Sequence, residues 1–442
     1  MIRLKVLGPA EGVQTHPTAP AWHLVGSRLF VVNDSRIYDL DPGDAERLRS
    51  GDRQMLAAVD AISAQPPLDD MDLVPRVTPQ SVSLNVSSSC NLGCSYCYAG
   101  RGSFGGAQSA VMDWQTAQAA IDALFAAADP ARPITIGFLG GEPFLGRDLI
   151  HRSVQYAARR ATNQVVGFSV TTNGTLLTKE DVELLRAHRF AVTVSVDGGR
   201  LLHDTLRPLR KRRGSSHAAL AEHVAALVRD PGKARVGARA TVTHSNLGVE
   251  QIFDDVIDLG FADVGLSPLR TAAGSLTNED WPIYLRGVRR LAERELGRAV
   301  VGESIRFSNL AVALRQLERG AASPYPCGAG GGYFSVSSDG TWYACHRAVG
   351  QPSFALGSSA GIDRSRQATF LRDRHVHSQA PCRTCWARYL CSGGCHHEVA
   401  GRTDAFCDFV RAWLEFCLGA HATLAHARPA WFGRLTPEVA HG

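Results

Sequence analysis

From residue 80 to residue 270 the chain alternates between short strand-like stretches and helix-length segments, and this alternation excludes most folds. Strands are predicted at 81–88, 133–140, 166–172, 190–197, 235–243 and 262–268. Helices are predicted at about 112–129, 147–160, 178–187, 215–229 and 247–259. Strand followed by helix, repeated, means βαβ units and a parallel sheet. Six such strands fit a partial barrel, so the fold class is α/β.

The strands say more about the barrel's interior. Parallel strands covered on both faces read as almost continuous apolar runs. These do not. Ser81, Ser83, Asn85 and Ser87 alternate with Val82, Leu84 and Val86, and Ser169, Thr171 and Asn173 alternate with Phe168, Val170 and Thr172. Thr193, Ser195 and Asp197 alternate with Val192, Val194 and Val196, and Arg239, Thr241 and Thr243 with Ala238, Ala240 and Val242. Successive side chains of a strand point to opposite faces. Helices would cover the apolar face and leave the polar one turned inward. A barrel open enough to hold a polar ligand fits this pattern. The alternative is an antiparallel sheet with one wet face, and the helix-length connections argue against it.

The flanks differ. Residues 1–78 read as a small α+β unit: AWHLV, RLFVV and RIYDL as three strands, two short helices, and PPLDDMDLVP as a linker. The partial barrel is placed at 79–270, a helical linker at 271–320 with helices near 278–296 and 306–319, and a cysteine-rich domain at 321–442 with a helix at 404–426. A net charge of +5 is too modest to indicate a nucleic-acid partner. The opening residues lack the apolar core of a signal peptide. No run of about 18 apolar residues suggests a membrane span. A cytoplasmic location is expected.

In that compartment eleven cysteines are poorly explained by disulfides. Cys90, Cys94 and Cys97 form C-x3-C-x2-C just after the first strand, where α/β sheets place their chemistry. Tyr98 to Pro326 contains none, and the other eight lie between 327 and 417. Thiolates are soft ligands that select zinc or iron–sulfur clusters. A structural zinc wants four ligands, and no fourth Cys or His follows nearby. A cubic 4Fe–4S cluster held by three cysteines leaves one iron free for a small molecule. Zinc completed by a distant residue is the alternative.

C-x3-C-x2-C with Tyr96 before the last cysteine resembles the signature of radical S-adenosylmethionine (SAM) enzymes, whose fold is a partial (β/α)6 barrel. FLGGEPFL resembles that family's motif for the methionine amino group, and SVDGG and HDTLRP match segments of its peptide- and protein-modifying branch. The resemblance implies that Cys90, Cys94 and Cys97 bind the catalytic cluster. It implies that Gly140, Gly141 and Glu142 hold the methionine amine, that Tyr96 lies near the adenine, and that Ser195 holds the ribose or carboxylate. A cation for the carboxylate is expected from Arg239 or Arg207, and the sequence does not separate them. No residue is singled out as an acid or base.

Cys327, then Gly340-x4-Cys345, then Cys382, Cys385, Cys391 and Cys395 in C-x2-C-x5-C-x3-C, then Cys407 and Cys417, resemble the SPASM extension with two auxiliary 4Fe–4S clusters. With the catalytic cluster this implies three 4Fe–4S clusters. Cys327, Cys345 and Cys395 would serve the inner auxiliary cluster, and Cys382, Cys385, Cys391 and Cys407 the outer one. Cys417 either completes the inner cluster or is a buried thiol. His396 and His397 are expected only to flank a cluster.

PCGAGGGYFSVSSDGTWYACHRAVG is similar to a segment of enzymes that crosslink ribosomal peptides. The implied function is hydrogen-atom abstraction from a ribosomally synthesised precursor peptide, installing a thioether or carbon–carbon crosslink. An electron donor such as flavodoxin or ferredoxin is the second implied partner, and the N-terminal unit either binds a leader peptide or caps the fold. A sulfatase-type maturase forming formylglycine is the alternative enzyme. A non-enzymatic iron–sulfur electron carrier is the alternative from another class, and GGEP and the inward polar faces argue against it.

Overall fold

A computed structural model describes residues 20–63, 78–104, 111–211, 213–320, 322–358 and 361–434; the predicted linker at 66–75 lies outside them. Three short strands, β1 (Trp22–Val25), β2 (Arg28–Val31) and β3 (Arg36–Asp39), form an antiparallel sheet in that order. Leu29, Val31 and Tyr38 meet Leu48 of α1 (Pro42–Arg49) and Met55 and Val59 of α2 (Arg53–Ser63) in one apolar cluster. Pro42 opens α1, where its missing N–H costs nothing.

Six parallel strands follow within two residues of their predicted bounds: β4 (Ser81–Ser87), β5 (Ile134–Gly140), β6 (Val166–Thr172), β7 (Phe190–Ser195), β8 (Arg235–Val242) and β9 (Val264–Pro268). Between them run α3 (Trp114–Ala127), α4 (Arg147–Arg160), α5 (Lys179–Ala187), α6 (Arg200–Leu206), α7 (Ser216–Arg229) and α8 (Val249–Asp258). The helices start where side chains satisfy their first N–H groups. Asp113 accepts from Thr116 N at 2.7 Å, Ser215 accepts from Ala218 N at 2.9 Å, and Thr178 forms a capping box with Asp181.

The alternation behaves as expected. Phe168, Val170, Val192, Val194, Ala238, Ala240 and Val242 are buried. Register aligns the polar residues across strands: Ser83 with Gly137 and Ser169, Thr171 with Thr193, Ser195 with Arg239, and Thr241 with Ser267. Thr171 and Arg239 are exposed, and Ser169, Thr193, Ser195 and Thr241 are half-buried. β4 departs from the expectation, since Ser81, Ser83, Asn85 and Ser87 are buried too; the accessible polar face lies on β6 to β9 of an open sheet, not a closed barrel.

After α9 (Asp280–Val300) and α10 (Ser308–Arg319) come four short strands that the sequence did not announce: β10 (Tyr333–Val336), β11 (Trp342–Tyr343), β12 (Ala355–Ser358) and β13 (Gly361–Ile362). β10 pairs in parallel with β4, and the others continue outward antiparallel, giving the order β13-β12-β11-β10-β4-β5-β6-β7-β8-β9. The chain ends in α11 (Arg364–Arg374), the single turn α12 (Arg388–Cys391) and the long α13 (Asp404–Ala427), which packs along α10.

Two compact units result, neither contiguous. One draws its described residues from Met1–Val74, Trp281–Cys327 and Arg372–Gly442. The other, the barrel unit, draws them from Pro75–Asp280 and Gly328–Leu371. No helix among the described residues is long and apolar enough to cross a membrane.

Candidate active site

Cys90, Cys94 and Cys97 sit in the loop beyond β4, half-buried, and several neighbours pin that loop. Gly93 N donates to Pro208 O at 2.8 Å and Arg210 N to Asn91 O at 3.0 Å. Asn91 donates to Thr175 Oγ1 at 2.8 Å and accepts from Asn173 Nδ2 at 2.9 Å. The sulfurs accept hydrogen bonds from backbone: Leu92 N to Cys90 Sγ at 3.4 Å and Arg101 N to Cys97 Sγ at 3.3 Å. Burial pushes the Cys90 thiol up to about 12 and raises Cys94 as well. A cation against the sulfurs inverts that preference, because a coordinating thiol is deprotonated.

Gly140 and Gly141 lie against this loop. A Cβ on Gly140, whose φ is +142°, would stand 2.5 Å from Ser87 O, and one on Gly141 would stand 2.2 Å from Ser89 O. Gly141 N and Glu142 N donate to those two carbonyls at 2.8 and 2.9 Å. The close approach that demands glycine is therefore to the stem of the cysteine loop itself. The Glu142 carboxylate is turned into the protein, 1% exposed. It accepts from Thr172 Oγ1 at 2.7 Å, Asn173 N at 2.8 Å and Phe144 N at 3.2 Å. Burial outweighs these donors and raises its pKa to about 7.

Asp197, just past β7, organises a buried network. Its carboxylate accepts from Arg207 Nε at 2.8 Å, Arg207 Nη2 at 3.3 Å and Thr241 N at 2.9 Å, and also from the Tyr96 hydroxyl. The Arg207 guanidinium lies 5.4 Å from the Tyr96 ring centroid. Burial alone would lower the pKa of Arg207, but Asp197 beside it more than offsets this and the net shift is upward. Arg207 and Tyr96 are thus engaged within the protein. Arg239 and Ser195, opposite one another in register, make no side-chain hydrogen bond or ion pair among the described residues. Asp197 was visible in the sequence as a polar residue of an alternating strand and as part of SVDGG; its role as the shared acceptor needed the tertiary structure.

Residues 84–259 match the family model described as the radical SAM superfamily. This chain contains a radical SAM domain. The serine-type anaerobic sulfatase-maturating enzyme of Klebsiella aerogenes is 26% identical over 337 residues, covering 72% of this chain and 80% of that enzyme. Among solved structures, anSMEcpe with bound AdoMet is 19% identical, covers 79% of this chain and 100% of that one, and superposes with a TM-score of 0.66. SuiB of Streptococcus suis bound to precursor peptide SuiA is 13% identical, covers 87% and 97%, and gives 0.51. The radical SAM fold is common to all three. Three soft donors with backbone N–H groups on two of their sulfurs fit an iron–sulfur cluster, whose properties depend on such hydrogen bonds.

Outside the radical SAM unit, four of the remaining cysteines come together. Cys382, Cys385, Cys391 and Cys407 line one cavity with about 410 Å³ of empty space, its open mouth included, alongside Arg402, Phe406 and Arg411. The donor set suits a thiolate-bound cluster. Cys327 and Cys395 belong to the same unit as this cavity, and Cys345 to the radical SAM unit. Cys417 stands apart. It is fully buried in α13 and is not part of the cavity wall, and burial is the sole cause of its raised pKa. Cys417 is therefore not among the thiols of this cavity.

Proposed function

We propose that the chain is a radical SAM maturase that oxidises a residue of a ribosomally made precursor peptide and installs a thioether or carbon–carbon crosslink. The observation that carries the reading is the open polar face of β6 to β9, in a sheet whose β4 leads into a loop of three thiols. SuiB, which shares the fold over 87% of this chain, is solved with its precursor peptide SuiA, and this supports a peptide substrate.

When bound, the catalytic cluster and SAM supply the radical that removes a hydrogen atom from the substrate. The chain's own residues bind and orient. Cys90, Cys94 and Cys97 hold the cluster. Arg239 and Ser195 meet the SAM carboxylate and ribose from the polar face, because Arg207 is already committed to Asp197. Gly140, Gly141 and Glu142 set the floor beside the loop. The rows of Ser and Thr accept the polar backbone of a peptide. Cys382, Cys385, Cys391 and Cys407 would hold an auxiliary cluster, which would supply an acceptor for the electron that the substrate gives up as its second hydrogen leaves as a proton.

Formylglycine formation is the second reading, favoured by the match to sulfatase-maturating enzymes. To separate them, anaerobically reconstituted protein is incubated with SAM, a reductant and two peptides, one Cys-rich and one carrying a sulfatase modification site. Crosslinking removes two hydrogens from the first peptide and leaves no aldehyde. Formylglycine in the second peptide reacts with a hydrazide probe. An aldehyde product without crosslinking overturns the first reading, and absence of 5′-deoxyadenosine under any condition overturns both.

A further inference from the structure

The four-cysteine cavity contains two arginines that cysteine spacing gave no reason to notice. Arg402 donates from Nη1 to Cys382 Sγ at 3.0 Å and from Nη2 to Gly393 O at 2.9 Å and to Gln379 Oε1. Its Nε is buried with no hydrogen-bond partner among the described residues. No carboxylate pairs with it among those residues either. Gly393, with φ +79°, lets Gln379 close on it: a Cβ there would stand 2.9 Å from Gln379 Nε2. Arg402 is therefore braced rather than free to swing. Arg411 lines the same cavity as Cys385 and pairs with Asp408. One guanidinium thus touches a thiol and a second stands on the same wall.

We infer that Arg402 and Arg411 set the reduction potential of the auxiliary cluster in this cavity and raise it; the inference rests on the proposed ligation by Cys382, Cys385, Cys391 and Cys407. A cluster gains one negative charge on reduction. Fixed cations and N–H donors at its sulfurs stabilise the reduced form more than the oxidised one, because net charge and hydrogen bonds to sulfur are what tune such clusters. The attraction is strong where water is excluded. The Nε of Arg402 adds a buried donor on the same wall, of the kind that a cluster sulfide accepts. Guanidinium suits the task because it stays charged and presents several donors in a fixed plane.

The test uses the full chain, reconstituted under anaerobic conditions, with redox titration followed by electron paramagnetic resonance. The signal that disappears in Cys382→Ala/Cys385→Ala, together with about four irons, belongs to this cavity. Arg402→Gln and Arg411→Gln should each lower that signal's midpoint potential with iron content unchanged. The double variant should lower it further, and Arg402→Lys should recover part of the loss. Unchanged or raised midpoints at full iron content overturn the inference while leaving the ligation intact. Loss of iron in Arg402→Gln and in Arg402→Lys alike makes that arginine a structural brace and overturns its tuning role. If the double cysteine variant keeps every signal and all its iron, the ligation itself is wrong and the inference falls with it.

Discussion

The chain builds two thiol sites in two electrostatic settings. At the radical SAM loop, Cys90 and Cys97 receive hydrogen bonds from backbone N–H groups, and the buried cation nearby, Arg207, is cancelled by Asp197, while the exposed Arg210 donates to the Cys90 carbonyl. At the four-cysteine cavity Cys382 receives a hydrogen bond from the Arg402 guanidinium, which has no carboxylate opposite it among the described residues, and Arg411 lines the same wall. The first setting keeps its field balanced, which suits a site whose ligand brings both a sulfonium and a carboxylate. The second has fixed positive charge, which suits a site that only changes its electron count. Similar ligands are given different work by their neighbours, and the difference between three thiols and four follows the same division.

The sharpest break between the two sites is by deletion. Replacing Cys90, Cys94 and Cys97 with Ala should abolish release of 5′-deoxyadenosine, whereas Cys382→Ala/Cys385→Ala should keep cleavage of SAM and lose an equal share of iron. Cofactor cleavage by the triple variant would refute the assignment of that loop.

The next comparison is between the two arginines of the barrel. Arg207→Leu strands the buried Asp197 carboxylate and should cost about 3–5 kcal/mol of stability. Arg239→Leu alters an exposed side chain and should change stability by no more than ~0.5 kcal/mol. Losing one charged hydrogen bond should nevertheless weaken SAM binding roughly 10- to 100-fold. Denaturation and equilibrium binding measured on both variants give this contrast; equal affinity for SAM in Arg239→Leu and wild type would exclude Arg239 from the carboxylate site.

Glu142 gives a smaller, pH-dependent effect. Burial raises its pKa from 4.5 to about 7, so between those values the folded protein holds a proton that the unfolded chain has released. Stability contributed by the protonated form is full below the unfolded pKa and is lost as pH rises through the folded one. The loss amounts to about 3 kcal/mol at most. The Tm advantage of wild type over Glu142→Gln should therefore shrink between pH 5 and pH 8. A constant difference would mean that the three donors hold the carboxylate ionised throughout. The smallest effect is expected at Cys417, where Ala should cost about 1 kcal/mol and leave the iron content and Mössbauer spectrum unchanged.

The six barrel strands and their helices were legible because each carries its own periodicity, two for strands and 3.6 for helices. β10 to β13 were not. They are two to four residues long, set among glycines, and β10 finds its partner β4 far away in sequence, so no local pattern records the pairing. The three-cysteine loop was visible in its spacing, and the role proposed for it came from the resemblance to radical SAM enzymes. The choice between Arg207, at the end of α6, and Arg239, within β8, was not legible, because the pairing of Arg207 with Asp197 joins residues that no local pattern links. Glu142 was chosen for its motif, yet its carboxylate points at Thr172 and Asn173, a direction that depends on where β6 ends.

The parallel pairing of β10 with β4 also has a consequence for how the protein is made. β4 leads directly into the three-cysteine loop, yet until about residue 336 has left the ribosome one side of it is an open hydrogen-bonding rim. An exposed strand edge invites association with other chains, and segments that must wait for distant partners are the ones prone to aggregate during synthesis. The nascent chain spends that interval with the reactive thiols emerged and their supporting strand unprotected. Any fragment ending before Tyr333 would be held in that state permanently, with the edge of β4 uncovered beside the loop meant to receive iron.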